Sequence, residues 1–353
     1  MGGNALKQVG VDVVRLPAGL YNELAANVKR MLDGCPELPG LRAEVIPSLR
    51  SKADFGDLDV LVANDRQPNW GLSEPVKTSL AAMFTPTHVV QNGSVLSLDV
   101  AVPSMSKRFQ LDLIRVPPDV FEFALGYFSY NDLGNLLGRV ARLYGFKLGH
   151  EGLFRPLRAP GNESHFVRDI LVTRDWPEAL EFLGYDSKRW KRGFDTLEDM
   201  FEFVTCSGAF HPSVFPLENR SHRARVRDRK RPTCGAFLQW LEVNGLMHAE
   251  ELGEQARAAL ARLALIRALG QFEEFYREWG HAQADLHNAL MFRRRFNGEV
   301  VRQITGLDGP ALGAYMASLR RKFTTEEAFR AFVLCQSAAA LEEFIRHGTL
   351  PSL

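Results

Sequence analysis

The segment that most constrains the fold is Ser48–Val62, SLRSKADFGDLDVLV, where two aspartates two residues apart interrupt an apolar run. Side chains at i and i+2 of a strand share a face. Asp57 and Asp59 therefore point one way, while Leu58, Val60 and Val62 point into a core. A second apolar run, Phe109–Val116 (FQLDLIRV), sets Asp112 in a similar frame. Carboxylates paired on one strand with a third on its neighbour repel strongly unless cations bind them. Magnesium prefers such oxygen ligands, and Mn²⁺ can take its place. Two ions about 3.5–4 Å apart can activate a 3′-hydroxyl and steady a leaving pyrophosphate. A lone D-x-D on a strand is more often a solvated edge or turn; the third acid tips the balance toward metal. Asp57, Asp59 and Asp112 are the expected catalytic and metal-binding residues. Asp99, in LSLDVAV, rivals Asp112 for the third place and is read as structural.

The rest of the chain divides around that motif. At 353 residues, with 46% hydrophobic and 24% charged residues, it has material for more than one domain and for ample core. The spacing predicts a helix over Tyr21–Leu32, then strands over Asp57–Ala63, His88–Gln91, Val95–Val102 and Phe109–Val116. Another helix is expected from Asn131 to Tyr144, closed by Gly145. Residues 156–219 read as less regular, with helices over Pro177–Leu183 and Thr196–Val204. Arg220–Arg231 (RSHRARVRDRKR) carries seven Lys or Arg and one Asp. After it the pattern is helical: Gly235–Leu246, Ala249 to about Arg295, Pro310–Lys322 and Thr325–His347. The expected domains are 1–120, 121–219 and 220–353. The fold class is α+β, a mixed sheet with helices followed by a mainly α-helical C-terminal domain.

Residues 12–155 resemble the palm and thumb of the nucleotidyltransferase superfamily to which DNA polymerase β belongs, family X. The likeness rests on G-D-L-D-V-L-V followed by L-D-L on a second strand. Upstream, Arg15-Leu16-Pro17 leads into a helix ending Val28-Lys29-Arg30, similar to the palm entry. Downstream, YFSYNDLGNLLGRVARLYGFKLGHEGLF resembles the family's Y-F-x-G-S element, thumb helix and closing segment. The resemblance implies a nucleotidyltransferase palm over 1–120, a thumb-like and connecting region over 121–219, and a nucleotide site. In that site Arg15 reaches the triphosphate, Ser48 supplies the phosphate-binding hydroxyl, and Arg50 or Lys52 is its basic partner. Gly56, which opens G-D-L-D-V-L-V, is also expected at the nucleotide site. Tyr127 and Phe128 sit beside sugar and base, Asn135 contacts the incoming nucleotide, and Arg139 contacts the templating base pair. The family's Gly-Ser after the aromatic pair is Tyr130-Asn131 here. With the palm starting so near residue 1, the lyase and helix-hairpin-helix modules have no expected place.

The thumb segment can also be read from its residues alone. Leu133, Leu136, Leu137, Val140 and Tyr144 cluster on one side, and Asn135, Arg139 and Arg142 on the other. An amide with two guanidiniums suits groove edges and phosphates, although an ordinary solvated face gives the same pattern. Arg223, Arg225, Arg227 and Lys230 of the basic run are expected nucleic-acid contacts, releasing counterions on binding. Phe296–Gly313, FNGEVVRQITGLDGPALG, resembles the helical body of tRNA nucleotidyltransferases. His281, Asp285 and His287 form no expected metal site, because a helix places His287 away from the other two.

A net charge of +1 excludes a chain that is basic throughout, without excluding local patches. No run approaches the roughly 20 apolar residues of a membrane span, and MGGNALKQVG lacks the build of a signal peptide. Leu6 stands where a myristoylation motif needs Ser or Thr. Cys35, Cys206, Cys234 and Cys335 are scattered, which suits a reducing cytoplasm. The expected partners are nucleoside triphosphates and nucleic acid, as DNA primer/template or gapped DNA, with RNA the alternative. The expected activity is addition of dNMP to 3′ ends with release of pyrophosphate. Template-independent RNA or tRNA nucleotidyl transfer and an inactive nucleic-acid-binding scaffold stand as alternatives.

Overall fold

The computed structural model describes residues 4–66, 74–102, 105–159, 162–219, 222–229, 231–247 and 253–350. They form two compact units, Met1–Pro156 with Arg168–Phe272, and Leu157–Val167 with Glu273–Leu353. The first unit opens with a single helical turn, α1 (Asn4–Lys7), then β1 (Leu16–Pro17) and α2 (Ala18–Asp33). Leu24, Val28 and Leu32 recur every fourth residue of α2 and are all buried, so one stripe of the helix lies on the core. Pro17 sits at its N-cap and Gly34 at its C-cap.

Next come β2 (Leu41–Val45), β3 (Asp54–Phe55), β4 (Asp57–Asn64), α3 (Glu74–Phe84), β5 (Val89–Asn92), β6 (Val95–Ala101) and β7 (Arg108–Arg115). Five of these strands make one mixed sheet in the order β2-β4-β7-β6-β5. Strands β4 and β7 are parallel, and the other neighbours are antiparallel. The short strands β1 and β3 pair separately.

The two faces of this sheet differ. Leu58, Val60 and Val62 of β4 join Leu96, Leu98, Leu111 and Leu113 in the main core with α2. The opposite face begins polar, with Asp57 and Asp59, and continues apolar with Leu61 and Ala63. That apolar end is covered by Val120, Phe121 and Ala124 at the start of α4 (Phe121–Phe128). The acidic end of β4 therefore lies beyond the apolar contacts that cover the rest of its face.

The chain continues as α5 (Leu133–Leu143), β8 (Lys147–Gly149), β9 (Gly152–Ala159) and β10 (Asn162–Thr173), the strands ordered β10-β9-β8. Helices α6 (Trp176–Phe182), α7 (Ser187–Arg192), α8 (Leu197–Thr205), α9 (His222–Asp228), α10 (Pro232–Val243) and α11 (Glu254–Gln271) follow. The second unit carries α12 (Glu273–Arg295), α13 (Gly298–Thr305), α14 (Gly309–Arg320), α15 (Glu326–Cys335) and α16 (Ala338–His347). Phe292, Phe296, Phe329 and Phe344 are the large members of its own core.

The expected mixed sheet and the helical C-terminal half are present; among described residues beyond Arg231 there is no strand. Several features depart from the sequence reading, among them short helices α3, α7 and α9 that it did not expect. Strand β2 escaped notice because Arg42 and Glu44 interrupt its apolar pattern, as an edge strand allows. Strands β9 and β10 occupy a segment that read as irregular, its pattern broken by Pro156. The long Ala/Leu/Glu/Arg stretch is two helices broken at Phe272, and Thr325–His347 divides where the Ser337 hydroxyl caps α16. Ala249 and Lys230 lie outside the described residues. No helix among the described residues is long and apolar enough to cross a membrane.

Candidate metal centre and nucleotide pocket

Register brings the three acids together. Asp59 of β4 stands opposite Asp112 of β7, and Asp57 stands opposite Gln110. Residues facing each other on neighbouring strands share a side, so all three carboxylates emerge at one end of one face. Ligand-capable oxygens of Asp57, Asp59 and Asp112 lie within 4.8 Å of one another. No other group of three His, Cys, Asp or Glu among the described residues approaches in this way.

The site is electrostatically uncomfortable without a cation. Burial, then repulsion from Asp57 and Asp112, pushes the Asp59 carboxyl up to about 8, against a smaller pull from Lys52. Burial pushes Asp112 up to about 6, although hydrogen bonds from Ser97 and Gln110 oppose it. Oxygen-only donors carrying concentrated negative charge suit a hard divalent ion, so the residues present fit a metal.

Two neutral residues that sequence reasoning missed hold Asp112 in place. Gln110 is 1% exposed, and its Nε2 donates to both Asp112 oxygens at 2.9 Å. Its Oε1 accepts the Leu6 N–H at 3.3 Å, so α1 fixes which way the amide points. Ser97 stands opposite Asp112 on β6. Only the β6–β7–β4 register exposes these roles; an isolated Gln or Ser in a strand carries no signal. Asp99 is fully buried and bonded by Thr87, the His88 N–H and Arg108. Burial alone would raise its carboxyl, but those bonds hold it below the ordinary range.

Asp57 and Asp59 line a pocket of about 440 Å³; Asp112 stands behind them on β7 and is not part of its wall. Arg15, Ser48, Lys52, Gly56, Asp57, Asp59 and Phe128 all line it, which collects much of the expected site. Arg15 is held by Asp54 at 2.5 Å. The Lys52 ammonium lies 4.4 Å from the centre of the Phe55 ring, and that ring stacks on Tyr21 at 3.7 Å. Burial lowers the Lys52 pKa, while Asp57 and Asp59 pull it upward. Phe128 stacks against His150 at 5.4 Å, with Tyr127 edge-on to Phe128 at 5.5 Å.

Beyond this aromatic group, Tyr130 and Asn131 both have φ of +59°. Left-handed backbone costs a non-glycine residue about 1–2 kcal/mol. Tyr130 is held there by an edge contact with Phe194 at 4.9 Å and by its N–H donating to the Pro47 carbonyl at 2.8 Å. The exposed Asn131 lines the pocket.

Other expected site residues lie elsewhere. Arg50 does not line the pocket; it pairs with Asp195 and donates to the Arg192 carbonyl at 2.6 Å. Asn135 is half-buried and donates to Asp132 at 3.2 Å. Arg139 requires a correction. Instead of facing solvent it is 3% exposed, pairs with the equally buried Asp228 at 3.0 Å, and donates to the Phe215 carbonyl at 3.1 Å. Its side of α5 is covered by the chain around Phe215, Asp228 and Cys234, so its guanidinium holds the unit together internally. Arg142 is exposed and Arg225 half-buried. The side chains of Arg223 and Arg227, with Lys230, lie outside the described residues. Pro232 and Thr233, which no sequence signal tied to the acids, form part of the pocket wall.

No protein-family model matches the chain, and no curated protein matches it.

Proposed function

We propose that this chain is a metal-dependent nucleotidyltransferase, a small family X-like DNA polymerase that adds dNMP to 3′ ends and releases pyrophosphate. The observation that carries this reading is the in-register pair Asp59–Asp112, with Asp57 on the same face, where Asp57 and Asp59 line a pocket shared with Ser48 and Lys52. Asp57, Asp59 and Asp112 hold two Mg²⁺ ions, with Mn²⁺ able to replace them. Those ions, when bound, supply the charge that makes a 3′-hydroxyl nucleophilic and a pyrophosphate a tolerable leaving group.

The protein's own groups do the rest. Gln110 and Ser97 fix the Asp112 carboxylate beside the attacking hydroxyl, whose proton passes toward it. Lys52 and Arg15 offset phosphate charge, and the Ser48 hydroxyl donates to a phosphate oxygen. Phe128, backed by His150, presents an aromatic surface to the nucleoside. Positioning and charge neutralisation of this kind account for most of the catalysis in phosphoryl-group chemistry.

A second reading is favoured by one observation. Arg139, the residue expected at the templating base pair, is buried against Asp228. Without that contact, template-independent addition to an RNA 3′ end is the alternative. A primer-extension panel separates the two. Gapped, recessed and single-stranded DNA and RNA ends are offered with each dNTP and NTP in Mg²⁺. Template-directed choice among dNTPs supports the polymerase. Addition of ATP or CTP to single-stranded RNA regardless of template supports the alternative, and no incorporation on any end contradicts both.

A further inference from the structure

Tyr21 lies in the first turn of α2 and lines the acidic pocket beside Asp57 and Asp59. Its ring is fixed at the lead-in to both acidic strands. It stacks on Phe55, two residues before Asp57, with ring centres 3.7 Å apart, and meets Phe109, three residues before Asp112, edge-on at 6.4 Å. The residue is 7% exposed, so packing holds nearly all of it.

The hydroxyl is the exception. It has no hydrogen-bond partner among the described residues, yet it is not one of their sealed, unpartnered polar atoms. A hydroxyl that is neither bonded nor sealed opens onto free space, and the space that Tyr21 borders is the acidic pocket. Charge points the same way. Burial first, then the negative charges of Asp59 and Asp57, hold the phenol well above its ordinary value. It therefore stays an O–H, a donor beside carboxylates that, once ionised, only accept.

That combination suits one kind of ligand atom. Phosphate oxygens approach carboxylates only through a cation, because like charges repel. A neutral donor in the same place binds such an oxygen without adding to the repulsion or competing for the cation, and hydrogen bonds to anionic oxygens are among the stronger ones.

We propose that the Tyr21 hydroxyl donates a hydrogen bond to a phosphate oxygen of the nucleotide held at Asp57 and Asp59. This contact rests on the reading of the pocket as a nucleotide site and adds to it a neutral donor from α2. The oxygen belongs to the reacting α-phosphate or to the pyrophosphate portion.

The test uses the full chain in Mg²⁺ and titrates inorganic pyrophosphate, dAMP and dATP by calorimetry. Tyr21→Phe removes one oxygen and keeps the ring on Phe55. It is expected to keep the wild-type Tm and Mg²⁺ affinity while binding dATP about tenfold more weakly, the size of one hydrogen bond to a charged group. Unchanged Tm and metal affinity separate a contact with the nucleotide from a structural role. Wild-type affinity for all three ligands in Tyr21→Phe overturns the contact. So does weakened Mg²⁺ binding in the absence of nucleotide, which would make the hydroxyl a support for the acids. If that variant unfolds, Tyr21→Met, which also lacks the hydroxyl, carries the same outcomes.

The three ligands separate the two sources. A loss with dATP and dAMP but not pyrophosphate assigns the contact to the α-phosphate. A loss with dATP and pyrophosphate but not dAMP assigns it to the leaving portion. Failure here differs from failure of the functional reading. Incorporation by wild type with Tyr21-independent nucleotide binding overturns only the contact. Tyr21-dependent nucleotide binding without incorporation on any end overturns only the polymerase reading.

Discussion

Asp59 and Asp112 stand directly opposite one another on the parallel strands β4 and β7. Parallel pairing at this point is what turns two acids separated by a long stretch of chain into one charge cluster. Because both are partly buried beside Asp57, each holds its proton more tightly than an ordinary aspartate. A divalent ion relieves that repulsion by displacing protons.

Metal affinity should therefore rise with pH. A bound ion needs both carboxylates ionised, and their values of about 8 and about 6 place the change between pH 5 and pH 9. Calorimetric titration of Mg²⁺ in buffers of different ionisation enthalpy should show proton release at pH 7. Proton release should be smaller at pH 9 and absent from Asp59→Asn with Asp112→Asn.

Stability of the metal-free protein should move the opposite way. Asp59 has a folded value of about 8, above the ordinary carboxylate value it takes when unfolded. Between those values the folded state binds more protons, so stability falls as pH rises from about 4 to about 8. Asp59→Asn should remove most of that slope and raise Tm by about 3 °C or more at pH 8 without metal. Saturating Mg²⁺ should erase the advantage, which differential scanning calorimetry can follow.

Arg139 and Asp228 are each 3% exposed and 3.0 Å apart. Removing one member of a buried ion pair typically costs about 3–5 kcal/mol. Arg139→Met should lower the urea midpoint accordingly, and Arg139→Met with Asp228→Leu should recover much of the loss. A variant that stays fully stable while losing nucleic-acid affinity would restore Arg139 to the surface role the sequence suggested.

Gly134 lets α5 approach α4 closely. A Cβ there would stand 2.2 Å from the Tyr127 carbonyl oxygen and 2.8 Å from its ring. Gly134→Ala should cost about 1–3 kcal/mol through overpacking. It should also move Tyr127, and with it the Tyr127–Phe128–His150 group, so nucleotide KM should rise even where the fold survives. Steady-state kinetics beside chemical denaturation distinguishes the two effects.

The acids were legible because a strand's period of two leaves a local signature, with Leu58, Val60 and Val62 reporting the buried side. Ser48 and Lys52 came from the family resemblance, which left Arg50 and Lys52 as alternatives; only Lys52 lines the pocket. Arg139 was misread because amphipathicity places a residue on a helix face without saying what covers it. On α5 the polar side is covered by chain around Phe215, Asp228 and Cys234, supplied from much later in the sequence. Gln110, Ser97 and Thr233 were silent for a related reason. Each is an ordinary residue in its own element and acquires a role only through strand register or through a distant segment closing a pocket wall. Strand β2 was hidden by Arg42 and Glu44, whose alternation suits an edge strand but reads locally as polar chain.

The central claim is that Asp57, Asp59 and Asp112 form the metal centre of nucleotidyl transfer. The most direct measurement is incorporation of a labelled nucleotide onto a primed or single-stranded end, with Mg²⁺ or EDTA, by wild type and Asp112→Ala. Wild type should extend the strand only with the divalent ion. Asp112→Ala should lose at least about a thousandfold in rate while binding the nucleic acid as before. Full activity in Asp112→Ala, or activity in wild type that survives EDTA, contradicts the assignment.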